Sequence, residues 1–130
     1  MKPFIITLVI LTNVLKFEVV STEKDREKGL MNRKSWGKID GMLFIHERPD
    51  EVSYWMKNTY LDLYMIFIDE KFNAKEIYRP EILSTKIISS SNTNIKYVLE
   101  LKSSYSNLIE KETLKELLYK ISNKIGGHYE

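Results

Sequence analysis

Tyr54 to Asp69 reads YWMKNTYLDLYMIFID, and three polar residues, Lys57, Asn58 and Thr59, interrupt two segments that otherwise belong in a core. An ammonium, an amide and a hydroxyl side by side could hold an anionic or hydroxylated ligand. Lysine brings three donors, asparagine a donor and an acceptor, and threonine a hydroxyl that does both. Trp55 would give such a ligand a flat wall for a sugar or aromatic ring. Arg33 would add a bidentate fork for a carboxylate or phosphate, and Asp69 an orienting acid. The competing reading of these residues is architectural. Asn58-Thr59 closes a turn through side-chain to backbone hydrogen bonds, Trp55 and Met56 fill the core, and Arg33 pairs with Asp69 or another acid.

Other chemistries find little support. The chain has no cysteine, which excludes thiol nucleophiles, disulfides, iron–sulfur clusters and cysteine zinc sites. His46 and His128 are the only histidines, too few for a His-based metal centre, which generally needs three protein ligands. Met31, Met42, Met56 and Met65 fall where core residues belong, so no metal site is expected. No glycine-rich phosphate loop or nucleophile elbow is present, and no cofactor is expected. His46 ends an apolar stretch without an orienting acceptor at any recognisable spacing. A hydrolase-like activity using Lys57 or Asp69 is the enzymatic alternative, and it lacks a nucleophile–base pair. Twenty Lys and Arg stand against 18 Asp and Glu, intermixed as in EKDREK (residues 23–28), so no basic face for nucleic acid is expected.

The elements that must position these residues follow from pattern. At 130 residues the chain fits one core. Residues 1–16 have two readings: a short apolar targeting segment with Lys2 in front, or a hairpin of Ile5 to Leu11, a Thr12-Asn13 turn, and Val14 to Ser21. Thr22 caps a helix from Glu23 to about Met31, with Asp25 in the capping-box position. Gly29 marks close packing or an early end. Gly41 leads into a strand to His46, and Pro49-Asp50 reads as a turn. Leu63 to Asp69 is a central strand covered on both faces. Ala74 to Tyr78 returns, and Ile95 to Leu101 alternates, with Lys96, Val98 and Glu100 on the opposite side from Ile95, Tyr97, Leu99 and Leu101. Leu114, Leu117, Leu118, Ile121 and Ile125 make an amphipathic helix starting between Asn107 and Thr113, with Asn107 and Glu110 as a capping pair and Gly126-Gly127 as the stop. Its stripe packs on the sheet or, alternatively, docks a protein partner.

Four stretches together carry a resemblance: FEVVSTEKDREKGLMNR (residues 17–33), GMLFIH (41–46), SYWMKNT with the later FID (53–59 and 67–69), and YVLEL (97–101). In order and spacing they resemble the bacterial and archaeal family called domain of unknown function 192. The resemblance implies an α+β fold, a curved, mixed and largely antiparallel sheet approaching a small barrel, with one main helix towards the N-terminal end. It also implies frequent export, and no assigned activity. Its signature positions fall on Arg26, Gly29, Leu30, Met31, Arg33, Gly41, Met42, Phe44, Trp55 to Thr59, Phe67 and Asp69. The sequence departs where the family carries a proline and an aspartate, here Asp62 and Tyr64, and after YVLEL, where Ser103-Ser104 and a lysine-rich helix follow.

The resulting expectation is a single α+β domain over residues 17–130, working as an exported, periplasmic or membrane-associated binding or accessory module. Residues 1–16 folded as a strand would instead suit a cytoplasmic protein. The ligand would be small and polar or anionic, and its site Arg33, Trp55, Lys57, Asn58, Thr59 and Asp69.

Overall fold

A computed structural model describes the backbone of residues 1–129 and the side chains of residues 1–126. The first strands are β1 (Phe4–Ile10) and β2 (Asn13–Val20), antiparallel and joined at Leu11-Thr12. The chain start thus folds as the hairpin, with its turn one residue earlier than the sequence suggests. Leu11 carries the positive φ (53°) that a tight two-residue connection demands. Ile6, Leu8 and Ile10 face inward, opposite Leu15, Phe17 and Val19 on β2.

Helix α1 (Glu23–Lys28) is capped by Thr22, whose hydroxyl accepts from the Asp25 N–H at 3.1 Å. It ends sooner than the expected Met31 because Gly29 turns left-handed at φ 46°. A Cβ there would touch the Phe44 ring at 3.4 Å, so close packing and chain reversal coincide. Strand β3 (Gly41–Asp50) runs on through Pro49-Asp50, where a turn was expected, with a register irregularity between Ile45 and Asp50. A short β4 (Ser53–Tyr54), then β5 (Leu63–Asp69), β6 (Ala74–Tyr78), β7 (Ile88–Ser89) and β8 (Ile95–Lys102) follow. A 3-10 stretch, Ser103–Leu108, precedes α2 (Lys111–Tyr129), which continues through the expected Gly126-Gly127 stop. Glu110 rather than Asn107 caps α2, accepting from the Glu112 and Thr113 N–H groups.

Six strands form one sheet in the order β1-β2-β3-β8-β5-β6, with only β2 and β3 parallel, and β4 pairs β7 separately. The sheet does not close on itself. Instead α2 contacts both edge strands, β1 and β6, and covers the open side. Leu114, Leu117, Leu118, Ile121 and Ile125 pack there against Ile6, Leu8, Phe17, Leu43, Ile66 and Leu99. The helix's apolar stripe is therefore buried within the chain. The long helix is this C-terminal one, while the N-terminal-side helix has six residues.

A second apolar cluster lies on the other face, where Leu30, Met56 and Leu61 from the loops cover Met42, Phe44, Met65, Phe67 and Val98. Strand β5 is thus buried on both sides, as its unbroken apolar run requires. Strand β8 is too, which corrects the expected polar face: Val98 is fully buried and Glu100 nearly so. Gly41 is obligatory for this contact, since a Cβ would come within 2.5 Å of the Glu100 carbonyl oxygen.

Candidate functional site

The WMKNT segment leaves β4 as a tight turn. The Thr59 N–H donates to the Met56 carbonyl at 3.0 Å, and Asn58 takes φ 55° between them. Asparagine tolerates that conformation better than other non-glycine residues. Two further loops are stitched to this turn. The Asn32 N–H donates to the Asn58 carbonyl at 2.8 Å, and Asn32 itself has φ 69°. The Leu83 N–H donates to the Thr59 carbonyl at 3.0 Å, the Met56 N–H to the Ser84 carbonyl at 3.2 Å, and Leu83 has φ 63°. Three left-handed, non-glycine residues therefore meet in one platform built from residues 30–34, 55–60 and 81–84. Of the three, Leu83 is the strained one, at roughly 1–3 kcal/mol, since asparagine adopts this conformation readily.

The platform's upper surface is aromatic and cationic. Trp55 is 44% exposed, with the Lys57 Nζ 5.1 Å from its ring centroid. The Lys34 Nζ sits 3.5 Å over the Tyr60 ring. Neither lysine has a carboxylate within ion-pair distance among the described residues. Arg33 is engaged: its Nη2 lies 2.7 Å from the Glu18 Oε2. Thr59 is buried and donates to the Lys57 carbonyl, so its hydroxyl closes the turn, whereas Asn58 and Lys57 are exposed.

Of the residues expected from sequence, Arg33, Trp55, Lys57, Asn58 and Thr59 are brought together by the bond between Asn32 and Asn58. Asp69 is not. Its carboxylate accepts from the Lys71 and Asn73 N–H groups and caps the β5–β6 turn, at the far end of β5 from Thr59. Lys57 and Asp69 thus lie towards opposite ends of β5. The departing residues also find partners: Asp62 binds Arg79 at 2.7 Å, and the Arg79 guanidinium lies 5.4 Å from the Tyr64 ring centroid. The Arg79 hydrogen bond holds the Asp62 carboxyl below the usual range.

Beside Trp55 opens a cavity of about 560 Å³ between α1 and β4, whose lining includes Arg26, His46 and Tyr54. The His46 Nε2 is 2.7 Å from the Tyr54 hydroxyl. Burial, then the charges of Arg26 and Lys96, lower its pKa to about 4, so the ring is neutral at pH 7. Arg26 donates to the Ser21 and Ile45 carbonyls. Burial likewise pushes the Tyr54 hydroxyl well above its ordinary value. Sequence reading missed this pair because the two residues belong to different strands, with no local spacing to announce them. It also missed Glu100, set among Met42 and Met65, where burial raises the carboxyl to about 8.

Among known proteins, the sequence model of domain of unknown function 192, described as "Uncharacterized ACR", matches residues 7–112. No curated protein matches. A crystal structure from Sinorhizobium meliloti, of a protein described as a proposed transcription regulator, is 33% identical with a TM-score of 0.65, over 85% of this chain and 82% of that one. A crystal structure of a protein of unknown function from Novosphingobium aromaticivorans is 26% identical with a TM-score of 0.68, over 84% and 80%. Strands β2 to β8, the α1 cap and the WMKNT turn lie within the matched span, and the chain belongs to the domain of unknown function 192 family.

Proposed function

We propose that the protein is a small binding or accessory module whose ligand contacts the three-loop platform. The observation that carries this reading is the convergence of Asn32, Asn58 and Leu83, all left-handed, beneath two lysines parked on aromatic rings. A turn that served only to reverse the chain would need no second and third loop hydrogen-bonded to it. Lys34 and Lys57 favour an anionic group, and Trp55 and Tyr60 favour a flat ring next to it. The ligand class is thus a small ring-bearing carboxylate or phosphate.

Thermal unfolding of the full chain against benzoate, sugar phosphates and cell-wall saccharides tests the platform. A ligand present at about 100 times its dissociation constant stabilises by about 2.7 kcal/mol. Lys57→Ala should abolish the shift and leave the ligand-free transition in place, because Lys57 is exposed. No shift with any probe, together with unfolding of Lys57→Ala, would make the platform architecture only.

A further inference from the structure

A second site stands apart from the platform, where α2 bridges to β6. The helix packs along β1 but leaves a cavity of about 380 Å³ on its β6 side. Phe72, Ile77, Ile109, Leu114 and Leu118 form its apolar walls, and Lys111 and Lys115 stand at its rim. No carboxylate lines it. Its one other polar side chain, Asn73, is turned to Asp69 at 3.3 Å. Ile77 is 41% exposed and extends the apolar wall to the surface. Phe72, which lines this cavity, holds φ 63° and stacks on Tyr97 at 4.1 Å.

The lysines are the telling feature. Lys111 is the first residue of α2, where helix polarity disfavours a cation by about 0.3–1 kcal/mol, and Lys115 follows one turn on, along the same side of the gap. Neither ammonium has an ion-pair partner among the described residues. Both lysines are exposed, and an anion docking beside the apolar gap would meet two ammonium groups and no carboxylate.

We propose that the gap between α2 and β6 binds a free fatty acid, the alkyl chain in the apolar cavity and the carboxylate between Lys111 and Lys115. The volume lies in the range of small-molecule sites. Charge complementarity selects the carboxylate over an alcohol or a cationic amphiphile, and the apolar walls select an alkyl chain.

The test titrates dodecanoate, below its micelle-forming concentration, into the ¹⁵N-labelled full chain. Amide shifts should concentrate in residues 72–77 and 109–118. Dodecanol should bind at least about tenfold more weakly, as should Lys111→Glu/Lys115→Glu, a loss of about 1.4 kcal/mol or more. That double variant should keep the parent's native spectrum, since both positions are exposed. Ile77→Asp, on an exposed edge position, should also remove binding while keeping the native spectrum. Absence of binding, equal binding by the double variant, or shifts confined to the platform would overturn the proposal. So would capture by anionic vesicles without any response to dodecanoate, which would mark a membrane-facing surface instead.

Discussion

Glu100 and His46 share one cause and pull stability in opposite directions. Burial raises the Glu100 carboxyl from an ordinary 4.5 to about 8, so the folded state holds a proton that the unfolded chain releases. Its contribution is full below pH 4.5 and is lost as pH rises towards 8. Burial lowers His46 from 6.5 to about 4, so its contribution is full above pH 6.5 and is lost as pH falls towards 4. Between pH 4.5 and 6.5 the two slopes oppose each other, and above 6.5 the Glu100 slope acts alone. Denaturant unfolding at intervals from pH 6.5 to 8 should show stability falling with pH. Glu100→Gln should flatten that fall, and an unchanged slope in the variant would mean that Glu100 ionises at an ordinary pH in the folded protein. Neither group's environment was legible locally. Glu100 sits in a strand whose alternation looks half-exposed, and only the loops over Met42 and Met65 make it a core position. Within the platform the Lys57-Asn58-Thr59 turn was legible, because its break of an apolar run is contiguous, whereas Asn32, Lys34, Tyr60 and Leu83 carry no such local signal. Asp69 was misplaced for the converse reason. An acid ending a strand caps the following turn as readily as it orients a lysine, and pattern alone does not separate the two.

At the scale of elements, local chemistry and long-range contact divide the outcome. Thr22 and Asp25 declare the start of α1, and Thr22→Ala should cost about 1 kcal/mol in an unfolding titration. The early stop at Gly29 depends on both its φ and its contact with Phe44, and the contact lies outside the local sequence. Gly41 is the sharper case. Its neighbour across the sheet is the Glu100 carbonyl, and the 2.5 Å approach that a Cβ would make must separate β3 from β8. Gly41→Ala should therefore destabilise by at least about 1–3 kcal/mol, the range for overpacking a tight interior. A variant melting with the parent would show that β3 can shift without cost. The same logic explains β3 running through Pro49. A proline is tolerated in a strand beside a bulge, where its missing N–H removes no ladder bond.

For the whole molecule, the question is what closes a six-stranded sheet that stops short of a barrel. Strand order could not be read from the sequence, because β8 inserts between β3 and β5 from far along the chain. The amphipathic stripe of α2 was legible, but the surface it covers is set by that order. By touching β1 and β6, the first and last strands of the sheet, α2 takes the place of missing strands. Five of its side chains, Leu114, Leu117, Leu118, Ile121 and Ile125, are buried. At about 1.5–3 kcal/mol each, they represent roughly 7–15 kcal/mol, comparable to the entire stability of a domain this size. A chain ending at Glu110 should consequently lose cooperative unfolding and bind a hydrophobic dye while keeping much of its strand signal in far-ultraviolet circular dichroism. Deleting residues 1–12 should have a similar effect from the other side, since it strips β1 from under the helix and removes the Val9 carbonyl that accepts from Lys120 at 2.7 Å. If the chain lacking α2 instead unfolds cooperatively near the parent temperature, the sheet is self-sufficient. The helix would then be free to exchange its intramolecular seat for a partner protein.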